Sequence, residues 1–148
     1  MAIPEIKKPE AMPEVGEEGQ PLNIQSITWG KLTWVNIEHP TAREMEYLAQ
    51  NYPFHPLDLD DCLSLKQRPK LDVYENYLFL IFHFSVYSRE RRVSTHGQVS
   101  VFIGEKYLVT VHNGELKPLV NLFQDCQASE EARKQNLRHG SGLSLIHI

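Results

Sequence analysis

The stretch His55–Phe82, HPLDLDDCLSLKQRPKLDVYENYLFLIF, decides how this chain is read. It joins a proline-started acidic turn, a basic Gln67-Arg68-Pro69-Lys70 break and a long aromatic-rich apolar run. Pro56 suits the first position of a helix, where its missing N–H is not needed, and Asp58 then falls in the first turn, where the helix dipole favours a carboxylate. At helical spacing Leu59, Cys62 and Leu63 share one side and bury together. Asp60 and Asp61 project toward the other side, Asp61 almost opposite the apolar group, so two adjacent carboxylates face outward. Leu57 lies between them on the same wheel, and an apolar group on a solvated face hints at a partner surface. The helix stops before Pro69, because the residue preceding a proline is pushed out of helical geometry, and from Lys70 the chain is extended.

Working outward, Leu71–Tyr87 reads as strand, with Tyr77–Phe84 buried on both faces at the centre of a sheet. Val99–Ile103 and Tyr107–His112 form a hairpin about Gly104-Glu105-Lys106. Asn113-Gly114 then turns the chain into a helix carrying Leu116, Leu119, Val120 and Phe123 on one side. A last polar helix covers Ser129–Leu137. Upstream, two short strands flank Gly30-Lys31, the second being Thr33–Ile37. Pro40 and Thr41 introduce a helix with Met45, Leu48 and Ala49 toward the core, ending near Asn51. Strands and helices joined by both hairpin and crossover connections predict the α/β class, a mixed β-sheet layered with helices. Residues 1–23, with Pro4, Pro9, Pro13 and many glutamates, read as a mobile segment, and residues 24–148 as one domain.

Composition narrows the function classes. A chain of 148 residues, 41% hydrophobic and 23% charged, builds one core. The net charge of -4 gives no basic excess for nucleic acid, and the Arg89, Arg91, Arg92 cluster sits in a turn broken by Glu90. Cys62 and Cys126 lack a pairing motif, which favours a reducing compartment over a disulfide framework. No stretch reaches the roughly 18 to 20 consecutive apolar residues of a membrane span. His55 beside Asp58, Asp60 and Asp61 invites a metal-dependent hydrolase reading. Against it, the chain has no second carboxylate-rich motif, nucleophile elbow or phosphate-cradling glycine loop, so no enzyme is expected. His55, His83, His96 and His112 lack the close spacing of a zinc site, and His55-Pro56 reads as the helix entry. Taken alone, adjacent aspartates on a helix face are most often solubilising charge.

HPLDLDDCL followed by QRPKLDVYENYLFLI resembles the motifs of the amino-terminal cytoplasmic domain of the CorA-type divalent-cation transporters. Trp34-Val35-Asn36-Ile37 and the run Gly104–His112 stand where that family has a Trp-containing strand and a strand hairpin, so the resemblance extends from about Ile27 to the end. It implies a regulatory domain that senses intracellular Mg2+ and controls a pore. The ion is held between a carboxylate on the short helix and one from the stalk of the neighbouring subunit. The matching positions are Asp61 and Asp60. The family often has glutamate at the first of the pair, and the shorter arm of Asp60 makes Asp61 the stronger expectation. The resemblance further implies a homopentamer at the cytoplasmic face of the membrane, attached through helices that follow this domain, with Co2+ carried beside Mg2+. Gly140-Ser141-Gly142 and the apolar Leu143–Ile148 are expected to be a cut before the stalk and membrane helices, or a linker scar. A domain of a ZntB-like Zn2+ transporter and a freestanding metal-binding protein of the same fold are the alternatives.

Overall fold

Gly30, at φ +58° where L side chains are strained, closes the first hairpin, between β1 (Gln25–Trp29) and β2 (Leu32–Glu38). The computed structural model describes residues 22–64 and 66–137. Most of the amino-terminal segment expected to be mobile and the whole of the Gly140–Ile148 tail lie outside them. After β2 come α1 (Ala42–Asn51), α2 (Pro56–Leu63), β3 (Lys70–Val73), β4 (Tyr77–Ser88), β5 (Val93–Gly104), β6 (Tyr107–His112), α3 (Lys117–Ala128) and α4 (Glu130–Leu137). The six strands form one sheet in the order β1-β2-β6-β5-β4-β3, with β2 and β6 parallel and every other pair antiparallel. The expected mixed sheet layered with helices is therefore what forms.

Alternation along the strands separates two cores. On one face Val35, Ile37, Phe79, Ile81, Phe102, Tyr107, Val109 and Val111 pack against Met45 and Leu48 of α1 and Leu59 and Cys62 of α2. On the other, Trp34, Val99, Val101 and Leu108 meet Leu119, Phe123 and Cys126 of α3 and Leu137 of α4. The Phe123 ring stands edge-on to Trp34 at 4.9 Å, a favoured aromatic arrangement. The first turn of α1 is closed by Glu44, whose carboxylate accepts from the Thr41 backbone N–H at 2.8 Å, and this pairing allows Glu44 to be buried.

Three details differ from the sequence reading. The apolar run is not the centre of the sheet: β4 lies next to the edge strand β3, and from His83 onward its residues alternate between exposed and half-buried. The fully buried strand is β6. Leu63, expected inward, is 40% exposed, at the residue where α2 ends. Ala49 is likewise exposed.

Candidate functional site

Helix α2 begins as Pro56 dictates. His55 is the N-cap, and its Nδ1 accepts the Leu57 N–H at 3.1 Å, so the histidine sets the helix entry. Asp58, read as a first-turn dipole residue, is buried, and two phenols donate to its carboxylate: Tyr74 at 3.1 Å and Tyr77 at 3.0 Å. The Tyr77 hydroxyl also accepts the His55 N–H at 2.8 Å, which ties the cap, the first turn and the β3–β4 hairpin together. The two tyrosine rings stack at 4.5 Å. Burial first, and then bonding to the Asp58 carboxylate, hold both phenols above their usual range. This anchor fixes the orientation of the helix, and with it the two aspartates that follow.

Those two have different surroundings. Asp60 is exposed. Asp61, expected to face outward, is half-buried, and one of its oxygens accepts from the Lys70 ammonium at 2.5 Å. Lys70 also reaches Asp72 at 3.2 Å and lies over the Phe79 ring, 5.4 Å from its centroid. Bonding to Asp61 is the main cause that raises the Lys70 pKa, and it keeps the ammonium charged. Cys62, on the inner side, has its thiol pushed up to about 12 by burial above all, which makes it core and not ligand. Leu57 is 64% exposed on the same outward side as Asp60.

The chain after α2 is held by Gln98, which donates to the Ser64 carbonyl at 2.8 Å and accepts the Gln67 N–H at 3.1 Å. Beside the helix entry is a cleft of about 240 Å³ lined by Pro53, His55, Tyr74, Glu75, Asn76 and Tyr77. The histidines do not converge: His112 is buried in the sheet against Asn36, while His83 bonds the Gln67 carbonyl. Among the described residues no three His, Cys, Asp or Glu side chains meet.

Asp60 and Asp61 provide hard oxygen donors, and Mg2+ is commonly held by only one or two protein carboxylates while keeping several waters. These oxygen donors suit a hard cation and do not fit a structural zinc site. Sequence reasoning missed Tyr74, Tyr77 and Lys70 as neighbours of the helix. Their signal was present only as the Tyr-x-x-Tyr spacing across a tight turn after a basic break.

A model of the family described as CorA-like Mg2+ transporter protein matches residues 29–141. The chain is 32% identical over 115 residues to the protein YfjQ of Bacillus subtilis, across 78% of this chain and 35% of that protein. It is 33% identical over 73 residues to the cobalt/magnesium transport protein CorA of Thermotoga maritima, across 48% of this chain and 20% of that protein. The chain thus spans well under half the length of these relatives. The solved structure of the soluble domain of CorA from Methanocaldococcus jannaschii superposes with a TM-score of 0.65 at 20% identity, covering 79% of this chain and 45% of that one. That likeness shows a shared fold.

Proposed function

Because this chain belongs to the family of CorA-like Mg2+ transporter proteins, we propose that it is the regulatory part of a divalent-cation transporter, lying at the cytoplasmic face of the membrane and sensing Mg2+ where identical subunits meet. The observation that supports this reading is the pair Asp60 and Asp61, the first exposed and the second half-buried against Lys70, on a helix whose first turn is anchored by Asp58. Two carboxylates on a fixed helix supply one half of a cation site. A carboxylate from a neighbouring copy in a homopentamer would supply the other. With the ion bound, the opposed carboxylates are neutralised and the subunits held together. Without it, their repulsion favours separation and an open pore.

The role is regulatory and not catalytic. No helix among the described residues is long and apolar enough to cross a membrane, and in this reading transport belongs to chain outside this domain. Mg2+ suits the oxygen donors best, Co2+ is the second ion proposed, and Zn2+, which favours nitrogen and sulfur ligands, suits them least. The test is Asp61→Lys in the complete transporter, where a fixed positive charge stands in for the bound ion. Ion flux into proteoliposomes at low Mg2+ should fall to the level seen at high Mg2+. A variant that still opens on Mg2+ depletion as the unmodified protein does overturns the sensor assignment.

A further inference from the structure

The Lys70 ammonium is shared between carboxylates on two elements, Asp61 of α2 at 2.5 Å and Asp72 of β3 at 3.2 Å. Lys70 and Asp72 are two residues apart on β3, so both project from the sheet face that α2 covers. The Lys70 side chain is 34% exposed, which leaves the ammonium within reach of any cation that approaches Asp61 from solvent. From this geometry we infer that Lys70 is a built-in competitor for the divalent cation at Asp61, and that Asp72 receives the ammonium when the cation displaces it.

This inference rests on the reading of Asp61 as a cation ligand and adds what sets its affinity. A monovalent charge at bonding distance already offsets the carboxylate, so an incoming divalent ion must move it. Left without a partner, the ammonium would stand beside a doubly charged ion and repel it. Asp72 removes that penalty by offering a second acceptor on the same strand. The threshold at which the site fills is therefore set by a balance between two intramolecular ion pairs, and not by the number of acidic groups alone. Lys70 acts here as a positioning residue, with no direct bond to the cation.

The test titrates Mn2+, a paramagnetic substitute for Mg2+, into the chain and follows line broadening of the α2 amide signals by NMR, with Mg2+ as the chasing ion. Lys70→Gln should bind tighter, by up to about 5-fold, the upper end of what one exposed ion pair contributes. Asp72→Asn should bind more weakly, and that weakening should vanish in the Lys70→Gln/Asp72→Asn double variant, because Asp72 acts only through the ammonium. Lys70→Arg should stay near the unmodified affinity. If Lys70→Gln binds no tighter while Asp61→Asn abolishes broadening, the competitor is refuted and the cation site stands. If broadening of α2 is absent in both the unmodified chain and Lys70→Gln, or survives Asp60→Asn/Asp61→Asn, the cation site itself falls and the competitor with it.

Discussion

Asp58 fixes the geometry of α2 more firmly than either of the aspartates beside it. A buried carboxylate must be hydrogen-bonded, and its two phenol donors lie 16 and 19 residues further along the chain. Local spacing places Asp58 in the first turn, but the partners arrive only when the β3–β4 hairpin closes, so no window of sequence reveals them. Tyr77→Phe removes a donor to Asp58 and an acceptor for the His55 N–H together, and should cost about 1–3 kcal/mol of stability in equilibrium urea unfolding. Tyr74→Phe removes one bond from a less buried ring and should cost less, about 0.5–1 kcal/mol; equal losses would argue against the double role of Tyr77. His112 shows the same principle with a titrating group. Its Nε2 donates to Asn36 Oδ1 at 2.8 Å and its Nδ1 accepts the Gly114 N–H at 2.9 Å, which fixes one neutral tautomer. Burial first, and the nearby His39 second, push its pKa down from 6.5 to about 4. The unfolded chain binds the proton near 6.5 and the fold resists it, so this stability is complete above that pH and drains away as pH falls toward 4. The loss should approach about 3 kcal/mol, and His112→Gln should flatten the dependence of the urea midpoint between pH 7 and 4.

Among the elements, β4 and β6 show where apolar content misleads. β4 carries the longer run of large apolar side chains, yet β6, which includes Thr110 and His112, is the strand buried throughout. Its polar groups are tolerated because they are paired: Trp34 Nε1 donates to Thr110 Oγ1 at 3.0 Å, and Thr110 donates to Asn36 Oδ1 at 2.7 Å. Hydrophobicity counts the side chains of one strand, whereas centrality depends on which strands pair with it. The β5–β6 and β1–β2 hairpins were legible, since glycine turn signals bound them, and the outward position of Asp60 was legible from helical spacing, whereas the half-burial of Asp61 was not, because its partner Lys70 comes from β3. The bend that separates β3 from β4 was not, because Tyr74-Glu75-Asn76 interrupts the apolar pattern only briefly. The strands also use glycines to seat rings. A Cβ at Gly104 would lie 2.3 Å from the buried Tyr107 ring, and one at Gly97 would lie 2.2 Å from the half-exposed Phe84 ring. Gly104→Ala should therefore destabilise by about 1–3 kcal/mol through overpacking, and Gly97→Ala by less, since Phe84 can swing outward; thermal unfolding of the two variants ranks them.

Across the whole molecule, the mixed α/β class followed from the alternation of elements, whereas the strand order did not, because it depends on a crossover linking distant segments. The second face of the sheet is covered unevenly. Leu71 and Val73 of β3 are 56% and 72% exposed, and they stand opposite the half-buried Leu80 and Leu78 of β4. This open apolar end should bind the dye 1-anilinonaphthalene-8-sulfonate, and Leu71→Lys/Val73→Lys should lower its fluorescence while leaving unfolding stability within about 0.5 kcal/mol; unchanged fluorescence would place the apolar surface elsewhere. The parallel pairing of β2 with β6 has a further consequence, in time. Trp34 must find Thr110, 76 residues later in the chain. At synthesis rates of about 5–20 residues per second, β2 leaves the ribosome roughly 4–15 seconds before β6 does. During that interval Trp34, Val35 and Ile37 have no β6 to cover them, and the apolar side chains of the newborn first hairpin stay open to solvent until β6 pairs with β2.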